Sequence, residues 1–285
     1  MDSEAIIGYW VAYLKAEGST DDSMKQRVTI IRALMRRTGK PLLEMTRHDL
    51  IHDLGREGLE ATTRANYKSL YHTFFTWMQD EGFRIDNPGA RLPRVRLPAV
   101  EPNPVSTDDI QYLLTSGIYA RTRMFVLLYA YQGFRAREIA AVAGETIDWQ
   151  HRRILSKDGK GGKEVWRPIH PLVWGELQRW PRRGHLFPSP YRPGEHITAK
   201  NVSTVLSKAM RRAGIAHRPH QMRAWYATEM IGGGASTAVV AAAMRHSDMQ
   251  SIEHYVRVSD DSIADAHALL PLVVVPQRSG RKRAA

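Results

Sequence analysis

Residues 86–104, DNPGARLPRVRLPAVEPNP, hold five prolines, and no other feature limits the fold as strongly. Proline has no backbone N–H and pushes the residue before it into extended conformations, so no regular helix or interior strand should cross this stretch. It reads as an extended linker. The 285 residues are enough for a separate core on each side of it.

The charge divides at the same place. Residues 1–105 carry 15 Lys and Arg against 14 Asp and Glu, while residues 106–285 carry 26 against 15. The excess behind the net charge of +12 therefore sits in the second part, which is the expected polyanion-facing surface. A merely soluble basic domain would look the same on charge alone. Arginine, 31 of the 41 basic residues, suits bidentate phosphate contact, although GC-rich codons produce the same bias. The absence of cysteine excludes disulfides and thiolate metal sites, which fits a reducing cytosol. No apolar run is long enough for a membrane span, and the acidic N-terminus lacks a secretory pattern.

Residues 1–85 read as four helices. Ile6, Ile7, Trp10, Tyr13 and Leu14 recur at helical spacing, as do Val28, Ile31, Leu34 and Met35. Thr46 followed by Asp49 is a variant capping box opening a short third helix. The fourth runs from about Thr62 to Asp80, with Tyr67, Leu70, Tyr71, Phe74 and Trp77 as a core stripe. Beyond the linker, Ser106 caps a helix with Asp108 and Asp109 in its first turn. A buried helix over Met124 to Tyr131 breaks near Gly133. TIDW, RRILS and EVWRPI then read as short strands, the last two joined as a hairpin by KDGKGGK. From Pro171 onward the pattern is helical again, with Gly232–Gly234 separating two helices. The fold class is mainly α with a small antiparallel sheet.

Six residues in the second part could attack a phosphodiester without a metal: Arg135, Lys160, His220, Arg223, His246 and Tyr255. Taken singly, they are weak signals. Arg135 and Glu138 three residues on could be a surface pair on a helix face. Lys160, in GKGGK, lacks the P-loop pattern and shares its turn with Lys163. His220 and Arg223 follow Pro219, which can open a helix, so both would share a face at an anion-favouring N-terminus. His217 and His220 lack the companions of a metal site. Tyr255 could simply pack with Ile252 and Val256, since a phenol with a pKa of about 10 is a poor nucleophile at neutral pH.

In order and spacing these boxes, QGFRAREIAAV, GKGGK, RPHQMRAWYATEMI and MRHSDMQSIEHYVRV, resemble the tyrosine recombinase (phage integrase) family. The resemblance implies Tyr255 as nucleophile, Arg135, His220, Arg223 and His246 as phosphate ligands, Lys160 as general acid and Glu138 as the orienter of Arg135. It departs from the family at Arg137, Ala224 and Arg245, the last an added cation that could touch DNA or another subunit. The first part resembles a helical core-site-binding domain. The implied organisation is a DNA-binding domain over 1–85, a linker over 86–105 whose Arg91, Arg94 and Arg96 could follow a phosphate backbone, a catalytic domain over 106–260, and a C-terminal segment over 261–285. That segment carries an apolar run and a basic tail and is expected to contact a neighbouring subunit. The expected activity is site-specific recombination through a 3′-phosphotyrosine without metal, ATP or other cofactor. Expected partners are double-stranded core-type sites and three further copies in a tetramer, with room for a directionality factor or a host DNA-bending protein. A further arm-binding domain is expected to be absent, and the expected location is the cytoplasm of a bacterial host, at the nucleoid. An integrase of a phage or related element is the leading expectation. A resolvase of chromosome or plasmid dimers, a type IB topoisomerase and a non-catalytic DNA-binding regulator are the alternatives.

Overall fold

The computed structural model describes residues 2–98, 103–157 and 164–244. The chain divides into two compact units between Ala99 and Val100.

The first unit contains α1 (Ser3–Ala16), α2 (Asp21–Thr38), α3 (Arg47–Gly55) and α4 (Ala61–Asp80). Helix α1 buries Ile6, Ile7, Trp10 and Leu14 as its periodicity indicates, whereas Tyr13, of the same set, stays exposed at its edge, with its ring 6.0 Å from that of Trp77. At the start of α3 the Thr46 hydroxyl accepts from the Asp49 N–H at 3.3 Å and Asp49 accepts from the Thr46 N–H at 2.9 Å, so the capping box is complete. Helix α4 buries Tyr71, Phe74 and Trp77 as its stripe indicates, together with Phe75 and Met78. Trp10 meets Phe74 edge-on at 4.7 Å and Trp77 meets Phe83 at 5.3 Å. Such aromatic pairs contribute about 0.5–1.5 kcal/mol each beyond their burial.

The first residues of the linker pack on the first unit. Leu92 is buried in the first core, and the Arg47 guanidinium donates to the Arg91 carbonyl at 2.9 Å. Val105, at the other end of the stretch, belongs to the second core.

The second unit opens with α5 (Thr107–Thr115), capped by the Ser106 hydroxyl accepting from the Asp109 N–H at 3.0 Å. There follow α6 (Ala120–Ala130) and the short α7 (Ala136–Ala140). Three strands, β1 (Ile147–Asp148), β2 (Arg153–Lys157) and β3 (Glu164–Pro168), form an antiparallel sheet in sequence order, with Leu155 opposite Trp166 and Lys157 opposite Glu164. The hairpin expected around KDGKGGK is thus paired up to both ends of residues 158–163. Helices α8 (Pro171–Leu177), α9 (Ala199–Arg212), α10 (His220–Gly232) and α11 (Thr237–Met244) complete the described part.

The expectation that the pattern is helical again from Pro171 onward needs one correction. Residues 178–198 contain no helix; Pro181, Gly184, Pro188, Pro190, Pro193 and Gly194 interrupt any repeating backbone geometry there. The segment is held instead by the bridges Ala143 to His185 and Pro188 to His196, and it inserts Leu186, Phe187 and Ile197 into the core. Helix α6 is buried on every face, with Met124 to Ala130 all in that core, and it forms the post around which the site is built.

Candidate functional site

The site begins where α6 stops. Gly133 turns the chain at φ +60°, in the left-handed region that a side chain disfavours, and a Cβ there would lie 2.6 Å from the ring of Tyr226. Two residues later Arg135 stands immediately before α7. Glu138, in the first turn of that helix, accepts from the Arg135 N–H at 2.8 Å and from its guanidinium at 3.3 Å. The glutamate is buried and the arginine side chain is 33% exposed, so a fixed carboxylate holds a cation that still faces solvent. This is the i, i+3 pair read from the sequence, now with one partner buried.

Helix α10 supplies the second pair. Its first residue, His220, and Arg223 lie one turn apart, as their spacing requires. Arg223 is only 1% exposed, and its guanidinium donates to the main-chain carbonyls of Gly133 and Met244. One buried cation therefore ties the turn before Arg135 to the end of α11. Tyr226, from the next turn of α10, sets its ring against Gly133. His220 retains exposed surface, but the surrounding protein displaces enough water to hold its imidazole below the usual histidine range. The positive charges of Arg223 and Arg135 push it the same way, which brings His220, Arg223 and Arg135 into one electrostatic neighbourhood.

The Tyr129 hydroxyl also lies within this field. Burial raises its pKa, the Ser203 hydroxyl and Arg223 oppose that shift, and Glu138 reinforces it. Sequence reasoning passed over Tyr129, Gln132 and Arg167. Gln132 is 3% exposed and reaches from the arginine turn to the Pro168 carbonyl at 2.7 Å. Arg167, on β3, is 6% exposed and donates to the Gln132 carbonyl. The only available signal was a polar residue beside Gly133 and a charge within a strand, and neither indicates which way its side chain points.

Four of the expected site residues are thus gathered: Arg135, Glu138, His220 and Arg223. Lys160, His246, Arg245 and Tyr255 lie outside the described residues, as does the segment over 261–285. Arg91, Arg94 and Arg96 are exposed and lie in the first unit.

The model of the phage integrase family matches residues 106–262, more than half of the chain. The chain belongs to that family. It is a tyrosine-type site-specific recombinase. A curated relative, the tyrosine recombinase XerD of Rhizobium meliloti (strain 1021), is 26% identical, and the match covers 92% of each chain. Among solved structures, the integrase from mycobacterium phage Brujita is 29% identical with a TM-score of 0.51, over 91% of this chain and 96% of that one. A lambda integrase dimer bound to a COC′ core site gives a TM-score of 0.71 at 15% identity, covering 90% and 95% of the two chains. At that identity the likeness is one of fold: helices around a small antiparallel sheet.

Proposed function

We propose that this recombinase integrates and excises the DNA of a phage or mobile element at double-stranded core sites. The observation that carries the chemistry is the gathering of Arg135, Glu138, His220 and Arg223 around the turn at Gly133. The guanidiniums of Arg135 and Arg223 and the N–H groups of His220 and His246 stabilise the charge that builds on the non-bridging oxygens of a scissile phosphate. The Tyr255 hydroxyl gives up its proton to water as its oxygen bonds to phosphorus and the 5′-oxygen leaves, and Lys160 gives the leaving oxygen a proton. The phosphodiester energy is kept in a 3′-phosphotyrosine, and the 5′-hydroxyl of a second strand reverses the step. Arg91, Arg94, Arg96 and Arg245 track the DNA backbone, and four copies act on two sites, linked through residues 261–285.

The likeness to the Brujita phage integrase supports the integrative role. The match to XerD along nearly the whole of both chains favours a second reading, resolution of chromosome or plasmid dimers. Both use the same chemistry. Sequencing the DNA trapped covalently on Tyr255 in the native host separates them. Junctions between an element and the chromosome support integration, and a single recurring chromosomal or plasmid site supports resolution. The absence of any covalent protein–DNA adduct would overturn both.

A further inference from the structure

Two elements that meet the reacting phosphate in this reading arrive separately in the chain. One is the turn leading to Arg135; the other is the hairpin of β2 and β3, whose connection carries Lys160. We infer that Arg167 and Gln132 form a clamp that sets the arginine turn against the sheet, making both of them positioning residues for Arg135. The inference rests on the catalytic reading of Arg135 given above.

The contacts run in both directions. From β3, the Arg167 guanidinium donates to the Gln132 carbonyl and stands over the Phe134 ring, 5.2 Å from its centroid. From the turn, the Gln132 amide donates to the Pro168 carbonyl at 2.7 Å, and its oxygen accepts from the His170 N–H at 3.2 Å. Phe134, Gln132 and Arg167 are all at least nine-tenths buried, so these bonds are shielded from competing water. A guanidinium suits this task because its planar donors and its face act at once, on a carbonyl and an aromatic ring. From α10, Arg223 holds the next carbonyl, that of Gly133. Successive carbonyls before Arg135 are therefore gripped by arginines from two different elements. Burying a cation is costly unless it is well partnered, and a strand position this close to the core would ordinarily take an aliphatic side chain. Arg167 fits the clamp better than it fits packing.

The site recovered on Tyr255 supplies the test substrate, as a nicked duplex from which the cleaved 5′ end diffuses away. Arg167→Lys keeps the charge but not the planar fork, and Gln132→Met keeps approximate length without either hydrogen bond. Single-turnover cleavage at saturating DNA should fall about ten- to a hundred-fold in each, the scale of a misplacement near 1 Å, with DNA affinity unchanged within about threefold. Arg135→Gln serves as reference. A methylphosphonate at the scissile position lacks one charged non-bridging oxygen and so demands less of Arg135. On that substrate the defects of all three variants should shrink together. On a 5′-bridging phosphorothiolate, which needs no proton from Lys160, they should persist. Normal cleavage by both clamp variants overturns the inference. So does a defect that is undiminished on the methylphosphonate or disappears on the phosphorothiolate. If Arg135→Gln itself cleaves at the wild-type rate, the catalytic reading of Arg135 has failed instead.

Discussion

At the scale of single residues, the site depends on one glycine and on the charge state of one histidine. A side chain at position 133 must adopt φ +60°, which costs an L-residue about 1–2 kcal/mol, and must also displace the Tyr226 ring. Gly133→Ala should therefore lower stability by at least that amount in urea titrations, and combining it with Tyr226→Ala should cost less than the sum of the two single changes. Simple additivity would mean the ring contact is irrelevant. His220 is held below the usual histidine pKa by burial, then by Arg223 and Arg135. Replacing Arg135 with Gln removes one of the opposing charges, so the His220 pKa read by NMR should rise; an unmoved titration would separate the two residues. Adding duplex DNA should raise it as well, because a phosphate anion favours the imidazolium. In the proposed mechanism Tyr255→Phe removes only the attacking oxygen. It should abolish the covalent adduct and leave half-site affinity within about twofold, measured by denaturing and native gels; an adduct persisting on another tyrosine would refute the assignment.

Individual elements are stabilised where their ends are tied. At α3, Asp49 accepts from Lys40 at 2.8 Å and from Thr46, and these bonds hold its carboxyl at about 2, below the usual 3.8. A depressed carboxyl contributes stability that is complete above the unfolded pKa and is lost as pH falls through the folded one. The penalty of Asp49→Asn in chemical denaturation should accordingly be full above about pH 4 and fade towards pH 2; a penalty independent of pH would indicate that only the geometry of the cap matters. Within the same unit Asp53 is 3% exposed and accepts from Arg37, from Arg56 at 2.9 Å and from the Tyr71 hydroxyl at 2.6 Å. Burial alone would raise its pKa, but the bonds from Arg37 and Tyr71 outweigh this and lower it. Removing the carboxylate leaves two guanidiniums and a buried phenol without their shared acceptor. Asp53→Ala should cost about 3–5 kcal/mol, several times more than Tyr71→Phe. Equal costs in the same denaturation assay would show that the arginines find water easily.

For the whole molecule, the division at the prolines separates a nearly neutral unit from a strongly basic one. Subunit association is the remaining part of the proposal, and it rests on Leu269, Leu270, Leu272 and Val273 to Val275, an apolar run of the kind that seldom stays in contact with water. A chain ending at His267 should bind a half-site as the full chain does yet fail to form tetramers on paired sites, read by sedimentation with DNA. Normal recombination by this shortened chain would remove the segment from the assembly, and a loss of folding would show that it packs on its own subunit.

The sequence by itself determined the two-part division, the four N-terminal helices, the caps at Thr46 and Ser106, the hairpin strands and the closeness of Arg135 to Glu138 and of His220 to Arg223. These are properties of proline chemistry, apolar periodicity and short spacings, all of which act within a few residues. The tertiary structure alone decided what joins those pairs. Arg223 meets Gly133 from 90 residues away and Arg167 meets Gln132 from 35, and no local pattern encodes which carbonyl a long cationic side chain will reach. It also decided that Val165 and Trp166 remain exposed on β3 while Arg167 is buried, the reverse of what hydrophobicity suggests. The physical reason is that a charged group enters a core only where acceptors are already fixed. In this fold the turn after α6 and the end of α11 present them, as the carbonyls of Gln132, Gly133 and Met244.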